Sequence, residues 1–205
     1  MARLERTARR FAVPALAALA ASAVAVGAAG LSDNGASRRH TAQPAAFFSP
    51  AQIDAARSSL GDAMQLRQHV LVPSNAAPDH HPNASDLDDL TLKGDGALGT
   101  RFEGAALTKE KSTLRAAQAA EAAPSFLALD GGADQLQITT TPVDETTMTF
   151  TGTVRAWSKT AQVQPTRVVE VTPSNVLDIT GQLTLRGGQW RVSNFDWSFH
   201  PGSEP

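Results

Sequence analysis

Two stretches of strict alternation constrain the second half of the chain. In Thr147–Trp157, Met148, Phe150, Gly152, Val154 and Ala156 share one side, and Thr147, Thr149, Thr151, Thr153 and Arg155 share the other. In Leu177–Leu185, Leu177, Ile179, Gly181, Leu183 and Leu185 point one way, and Asp178, Thr180, Gln182, Thr184 and Arg186 the opposite way. Successive side chains of a strand alternate, so each stretch is an antiparallel strand buried on one side only. Gly187-Gly188 then supplies the two left-handed positions of a type I′ hairpin turn. Trp190 and Val192 begin the returning strand. Beyond them the apolar phase slips to Phe195, Trp197 and Phe199, and a bulge near Ser193-Asn194 restores the common face. Leu136 and Ile138, just after Asp134, supply an earlier strand.

A sheet apolar on one side needs a cover, and the first half of the chain supplies helices. Ser49-Pro50-Ala51-Gln52 reads as a helix start, with Ser as N-cap, Pro at the first turn and Gln closing a capping box. Ile53, Ala56, Leu60, Ala63, Met64, Val70 and Leu71 follow at helical spacing, and Pro73 stops the helix. Residues 73–96 hold three prolines, several aspartates and two glycines, and read as a long loop with one helical turn near Asp86. A second helical region runs from about Leu98 to Ala122, Ala-rich from Leu114 to Ala123, and Pro124 ends it. The expected fold class is α+β, with helices first and then a curved antiparallel sheet.

Ahead of this lies a leader. Arg3, Arg6, Arg9 and Arg10 precede the stretch Phe11–Leu31, which has no charged residue. Its helical length would be roughly 31 Å, about one hydrocarbon core. The positive flank keeps the N-terminus cytoplasmic and sends the remainder across. Ten of these residues are alanine, which contributes little to insertion. Ala23-Val24-Ala25 and Gly27-Ala28-Ala29 resemble cleavage sites. Residues 1–31 therefore read as a signal peptide or a single-pass anchor, residues 32–48 as a flexible linker, 49–200 as the folded domain and 201–205 as a tail. The expected location is extracytoplasmic, secreted or held in the plasma membrane by the N-terminal segment.

Composition removes several function classes. The chain has no cysteine, hence no disulfide, thiolate metal site, lipoprotein anchor or cysteine nucleophile. Without the leader the formal charge falls from −2 to −5, because four arginines and one glutamate leave with it. A mildly acidic domain with only four lysines is a poor nucleic-acid binder.

The run Leu183-Thr184-Leu185-Arg186-Gly187-Gly188-Gln189-Trp190-Arg191-Val192 resembles the closing hairpin of NTF2-like (SnoaL-like) domains. With helices ahead of a bent sheet, the resemblance implies a cone whose concave side faces the helices. A short basic N-terminus, one apolar segment and such a domain together resemble the Mce-associated exported proteins of actinobacteria. Members of this group include enzymes with an acid or base in the cone and non-catalytic binding or scaffold domains.

The residues give no catalytic set. Asp79-His80-His81, with Asp86, Asp88, Asp89 and Asp95 nearby, is the most metal-like cluster, but its spacing is not that of a calcium loop, and solvated loop residues are the expectation. No Gly-x-Ser-x-Gly, His-Glu-x-x-His or Walker loop occurs. There is no tyrosine. Asp178 and Asp196 fall on or beside the outer face, and His69 is the helix residue placed to reach a cone. Asn83-Ala84-Ser85 matches a glycosylation acceptor and is read as accidental. Trp157 and Trp197 are the candidates for a partner surface, with the remaining aromatics as core. The expectation is a non-enzymatic exported module for an envelope protein or an apolar ligand, without cofactor or metal. The alternative is a small-molecule enzyme of isomerase or cyclase type using the cone.

Overall fold

The computed structural model describes residues 47–122, 126–164 and 167–204. The leader at 1–31 and most of the linker lie outside the described residues. Among the described residues no helix is long and apolar enough to cross a membrane. Three helices, α1 (Pro50–His69), α2 (Ala84–Arg101) and α3 (Gly104–Glu121), precede five antiparallel strands. These are β1 (Phe126–Asp144), β2 (Thr147–Gln164), β3 (Arg167–Val171), β4 (Ser174–Arg186) and β5 (Gln189–Phe199). The sheet order is β1-β2-β4-β5, with β3 pairing the far end of β2. The fold is α+β, three helices packed on one antiparallel sheet.

Helix α1 starts as its sequence dictates. Ser49 Oγ accepts from Gln52 N, and Gln52 Oε1 accepts from Ser49 N at 2.8 Å, a complete capping box. Ala56, Leu60, Ala63 and Met64 are buried against the sheet. Packing begins just before the cap, because Phe48 meets Trp190 edge-on with ring centroids 5.1 Å apart.

The segment read as a loop is mostly helix. Residues 73–83 are irregular, but α2 begins at Ala84, and the single turn near Asp86 is the first turn of an 18-residue helix. The aspartates that suggested a loop are its start signal. Asn83 Oδ1 accepts from Ser85 N and Asp86 N, and Asp86 Oδ2 accepts from Asn83 N. Leu90, Gly94 and Leu98 form its buried stripe. The expected continuous helix from Leu98 to Ala122 is likewise corrected. It is broken at Phe102, extended and fully buried, which bridges in parallel to Val192 while Glu103 N donates to Val192 O at 2.9 Å. The break lets the chain seal the edge of β5.

The strands keep their expected faces. Met148, Phe150, Val154, Leu177, Ile179, Leu183, Trp190, Val192 and Phe195 are buried beneath the helices. Leu185 pairs with Trp190 and Leu183 with Val192. Gly187 and Gly188 have φ of 56° and 78°, the turn type their sequence demands. The register between β4 and β5 slips by one at Ser193, where the bulge was expected. The sheet starts earlier than Asp134, at Phe126, and β3 was not foreseen. In β1 a second irregularity between Asp134 and Gln137 places Gln135 at φ 51°.

Candidate functional site

The most unusual chemistry lies between the helices and β5. Arg67 occupies an inward position of α1, one turn beyond Ala63 and Met64, and Glu110 an inward position of α3. Arg67 Nε donates to Glu110 Oε2 at 2.8 Å. Both side chains are almost wholly buried, and Glu110 Oε1 meets no donor among the described residues. The guanidinium carbon lies 5.5 Å from the centroids of both Phe195 and Trp197, in cation–π range. Trp197 meets Phe199 edge-on at 5.5 Å. One buried pair thus ties α1, α3 and β5 together. Beside it, Lys109 reaches outward to Asp196 at 2.7 Å, and this bond holds the Asp196 carboxyl below its ordinary range. Sequence reasoning missed Arg67 and Glu110. The signal was present, since each interrupts an apolar helical stripe with a charge.

An open groove of about 540 Å³ runs beside the later half of α1, lined by Asp62, Gln65, Leu66, His69, Thr100 and Arg101. Arg101 pairs with Asp62 at 3.0 Å, and Gln65 Oε1 accepts from Ala133 N at 2.7 Å. His69 is exposed on its wall rather than buried against the sheet. The groove presents one imidazole and one neutralised ion pair.

The sequence cluster at 79–95 is dispersed. Asp79 and His81 are exposed, and His80 turns to Asn75 Nδ2 at 2.8 Å and Asp86 Oδ2 at 3.2 Å. Asp86 is occupied as the α2 cap, and the Asn83 backbone N–H is the first cause of its lowered pKa. Asp88 is exposed, Asp89 pairs with Lys93, and Asp95 meets Lys111 and Arg115. Among the described residues no three His, Asp or Glu side chains converge as a metal site would require.

The two tryptophans offered as a partner surface sit on opposite faces. Trp157 belongs to the polar face, its ring against Gly132, where an added Cβ would come within 2.6 Å of it. In the next row Arg155 forms a bidentate pair with Asp134, both bonds 2.6 Å. Trp197 faces the helices, half-buried over Arg67. Asp178 lies on the polar face, bonded to His200 at 2.8 Å.

A last group lies where α3 meets β1. Glu121, 4% exposed, accepts the single Ala128 N–H with both oxygens, at 2.9 and 3.1 Å. Pro73, Ala76, Ala77, His80, Pro82 and Leu127 complete a closed recess. Burial pushes the Glu121 carboxyl up to about 6, and the Ala128 N–H only partly opposes that rise.

No family model and no curated protein matches the chain. Among solved structures it is similar to an IcmL-like type IV secretion system protein from Legionella pneumophila, at 10% identity and TM-score 0.45, over 77% of this chain and 96% of that one. It is also similar to the intermembrane-space region of the chloroplast protein ARC6, at 11% identity and TM-score 0.40, over 75% of this chain and 98% of that one.

Proposed function

We propose that this is an exported, NTF2-like domain that works without catalysis, as a binding or accessory module for a protein partner or apolar ligand at the cell envelope. The observation that carries this reading is the filling of the concave side. Leu60, Leu98, Phe102, Leu114, Met148, Phe150 and Leu183 close it with side chains that are essentially inaccessible to water. Where a cone enzyme would hold its substrate, this chain places Phe150, Phe195 and the Arg67–Glu110 pair. Interaction then falls to the exterior, where Trp157 offers an aromatic ring on the otherwise hydroxyl-rich sheet face. The basic leader and its apolar segment supply the export half of the reading.

The absence of native cysteine makes the test clean. Thr172→Cys, in the exposed connection between β3 and β4, should react with a membrane-impermeant maleimide in intact cells. Labelling only after lysis overturns export. A photo-crosslinking residue in place of Trp157 should give a discrete adduct in those cells, and a blank lane there overturns the partner surface. The enzyme reading has one observation in its favour, the groove that carries His69 beside Thr100 and Arg101. A turnover found in the purified protein and lost in His69→Ala would establish it.

A further inference from the structure

We propose that the loop at 73–82 is a pH-responsive cover over the Glu121 recess, closed in acid and loosened as pH rises. The inference stands apart from the proposed function and uses only the meeting of the loop, α3 and β1.

Glu121 closes the C-terminal turn of α3, where the helix dipole disfavours an anion. Its two oxygens share one backbone donor. Among the described residues the recess around them is built from Pro73, Ala76, Ala77, Pro82 and Leu127, with His80 as its one other polar side chain. A carboxylate so placed is poorly solvated and gains by reaching water, whereas the neutral acid fits the recess as it stands. The carboxyl titrates at about 6 because of its burial, so the change falls within an ordinary pH range.

The loop itself is held lightly. Ala76 N donates to Pro73 O and His80 N to Ala77 O, each at 3.0 Å. Its side-chain clasp is His80, whose Nε2 lies 2.8 Å from Asn75 Nδ2 and 3.2 Å from Asp86 Oδ2 on α2 and bonds one or the other. The pH-sensitive group is the carboxyl beneath the loop: acid removes its buried charge, and alkali restores it.

Of the neighbouring titratable groups, His80 lines the recess with Glu121 and is engaged by Asn75 and Asp86. On the loop, Asp79 and His81 are exposed to solvent. From β1, Asp130 lies just past Ala128, exposed and opposite Lys159 of β2, which itself pairs with Glu170 of β3. From α3, the preceding turn offers only the Gln118 amide, which donates to Leu87 O. From α2 comes Asp86, already in the clasp.

Hydrogen exchange of the full chain, corrected for intrinsic rates, reads the cover directly. The amides of Ala76, His80 and Ala128 should open roughly tenfold more often at about pH 8 than at about pH 5, a change on the scale of one pKa unit. Amides of Ile179 and Leu183 in β4 should keep their protection. Glu121→Gln should abolish the difference. Equal protection at both pH values, a difference that survives in Glu121→Gln, or parallel loss in β4 would each overturn the proposal.

Discussion

Glu110 and Glu121 lie on one helix, and both are shielded from water, but the regions around them are built differently. Around Glu110 the chain supplies a guanidinium, two aromatic rings to cover it, and three elements locked about one bond. Around Glu121 it supplies one backbone N–H, small apolar side chains and an irregular loop. Glycines divide as well. At the closing hairpin Gly187 and Gly188 take up left-handed backbone that the turn requires. In α2, Gly96 and Gly99 have nothing within 4 Å of an added Cβ. The first region concentrates packing and paired charge, and the second leaves a lone carboxyl under an irregular loop. Stability is not uniform across such a molecule, and the second region is where local opening costs least.

The largest expected effects come from breaking the first region. Arg67→Ala leaves Glu110 buried without its cation and should cost about 3–5 kcal/mol in denaturant melts. Replacing both, as Arg67→Met with Glu110→Leu, should be neutral or stabilising, since the desolvation of both charges disappears together. A double replacement as damaging as the single one would mean that the pair itself, beyond its mutual compensation, holds α1, α3 and β5.

Trp190 tests the packing at the opposite end of α1. It is 4% exposed, edge-on to Phe48 and opposite Leu185. Trp190→Ala should cost about 3–5 kcal/mol, against well under about 1 kcal/mol for Thr184→Ala on the polar face. Thr184 Oγ1 donates to Ser193 Oγ beside the bulge, but the bond is partly exposed. Equal, small losses would contradict the burial of Trp190.

The two regions also differ in how far their sequence announces them. Around the hairpin every level agrees. The alternation sets the face, Gly187-Gly188 sets the register, and the phase slip from Val192 to Phe195 locates the bulge. In 73–101 local signals conflict. Prolines, aspartates and glycines weigh against a helix, and only the Asn83-Asp86 cap with Leu90 and Leu98 favours one. The break at Phe102 arises from a long-range bridge to Val192, which no local pattern encodes. The buried charges were legible in part. Arg67 and Glu110 occupy apolar stripes, but their pairing depends on how α1 and α3 cross the sheet. His69, next in line to be read as inward, follows α1 out to the exposed groove.

The titration of Glu121 sharpens the comparison at an intermediate scale. Its pKa is raised in the folded protein to about 6 from 4.5. A raised carboxyl stabilises the fold fully below the unfolded value and loses that contribution as pH climbs through the folded one. Glu121→Gln should therefore gain up to about 2 kcal/mol at neutral pH and nothing in acid below the unfolded value. Asp86, Asp134, Asp144 and Asp196 act oppositely. Their lowered values come first from the Asn83 N–H, Arg155, the Thr146 N–H and Lys109 respectively, and their contribution is lost as pH falls below the ordinary aspartate range. Melts across pH should show wild-type stability declining on both sides of a mildly acidic maximum, with the alkaline decline missing in Glu121→Gln. An unchanged alkaline limb would show that Glu121 is not its source.

The smallest effect concerns the glycines of α2. Alanine is favoured over glycine in a helix interior by about 1 kcal/mol, because glycine loses more backbone freedom on folding. At Gly96 and Gly99 an added methyl meets open space, so Gly96→Ala and Gly99→Ala should each stabilise by up to about that amount. Gly94 is the internal control, on the same helix and with the same intrinsic preference. An added Cβ there falls 2.5 Å from Leu114 Cδ2, a core side chain with no exposed surface to retreat toward. Gly94→Ala should therefore destabilise, since overpacking of this kind typically costs about 1–3 kcal/mol. Opposite signs along one helix would show that the slack in α2 is confined to its outer face. A loss of stability in Gly96→Ala or Gly99→Ala would mean that the outer face of α2 is packed after all, and the contrast would rest on Glu110 and Glu121 alone.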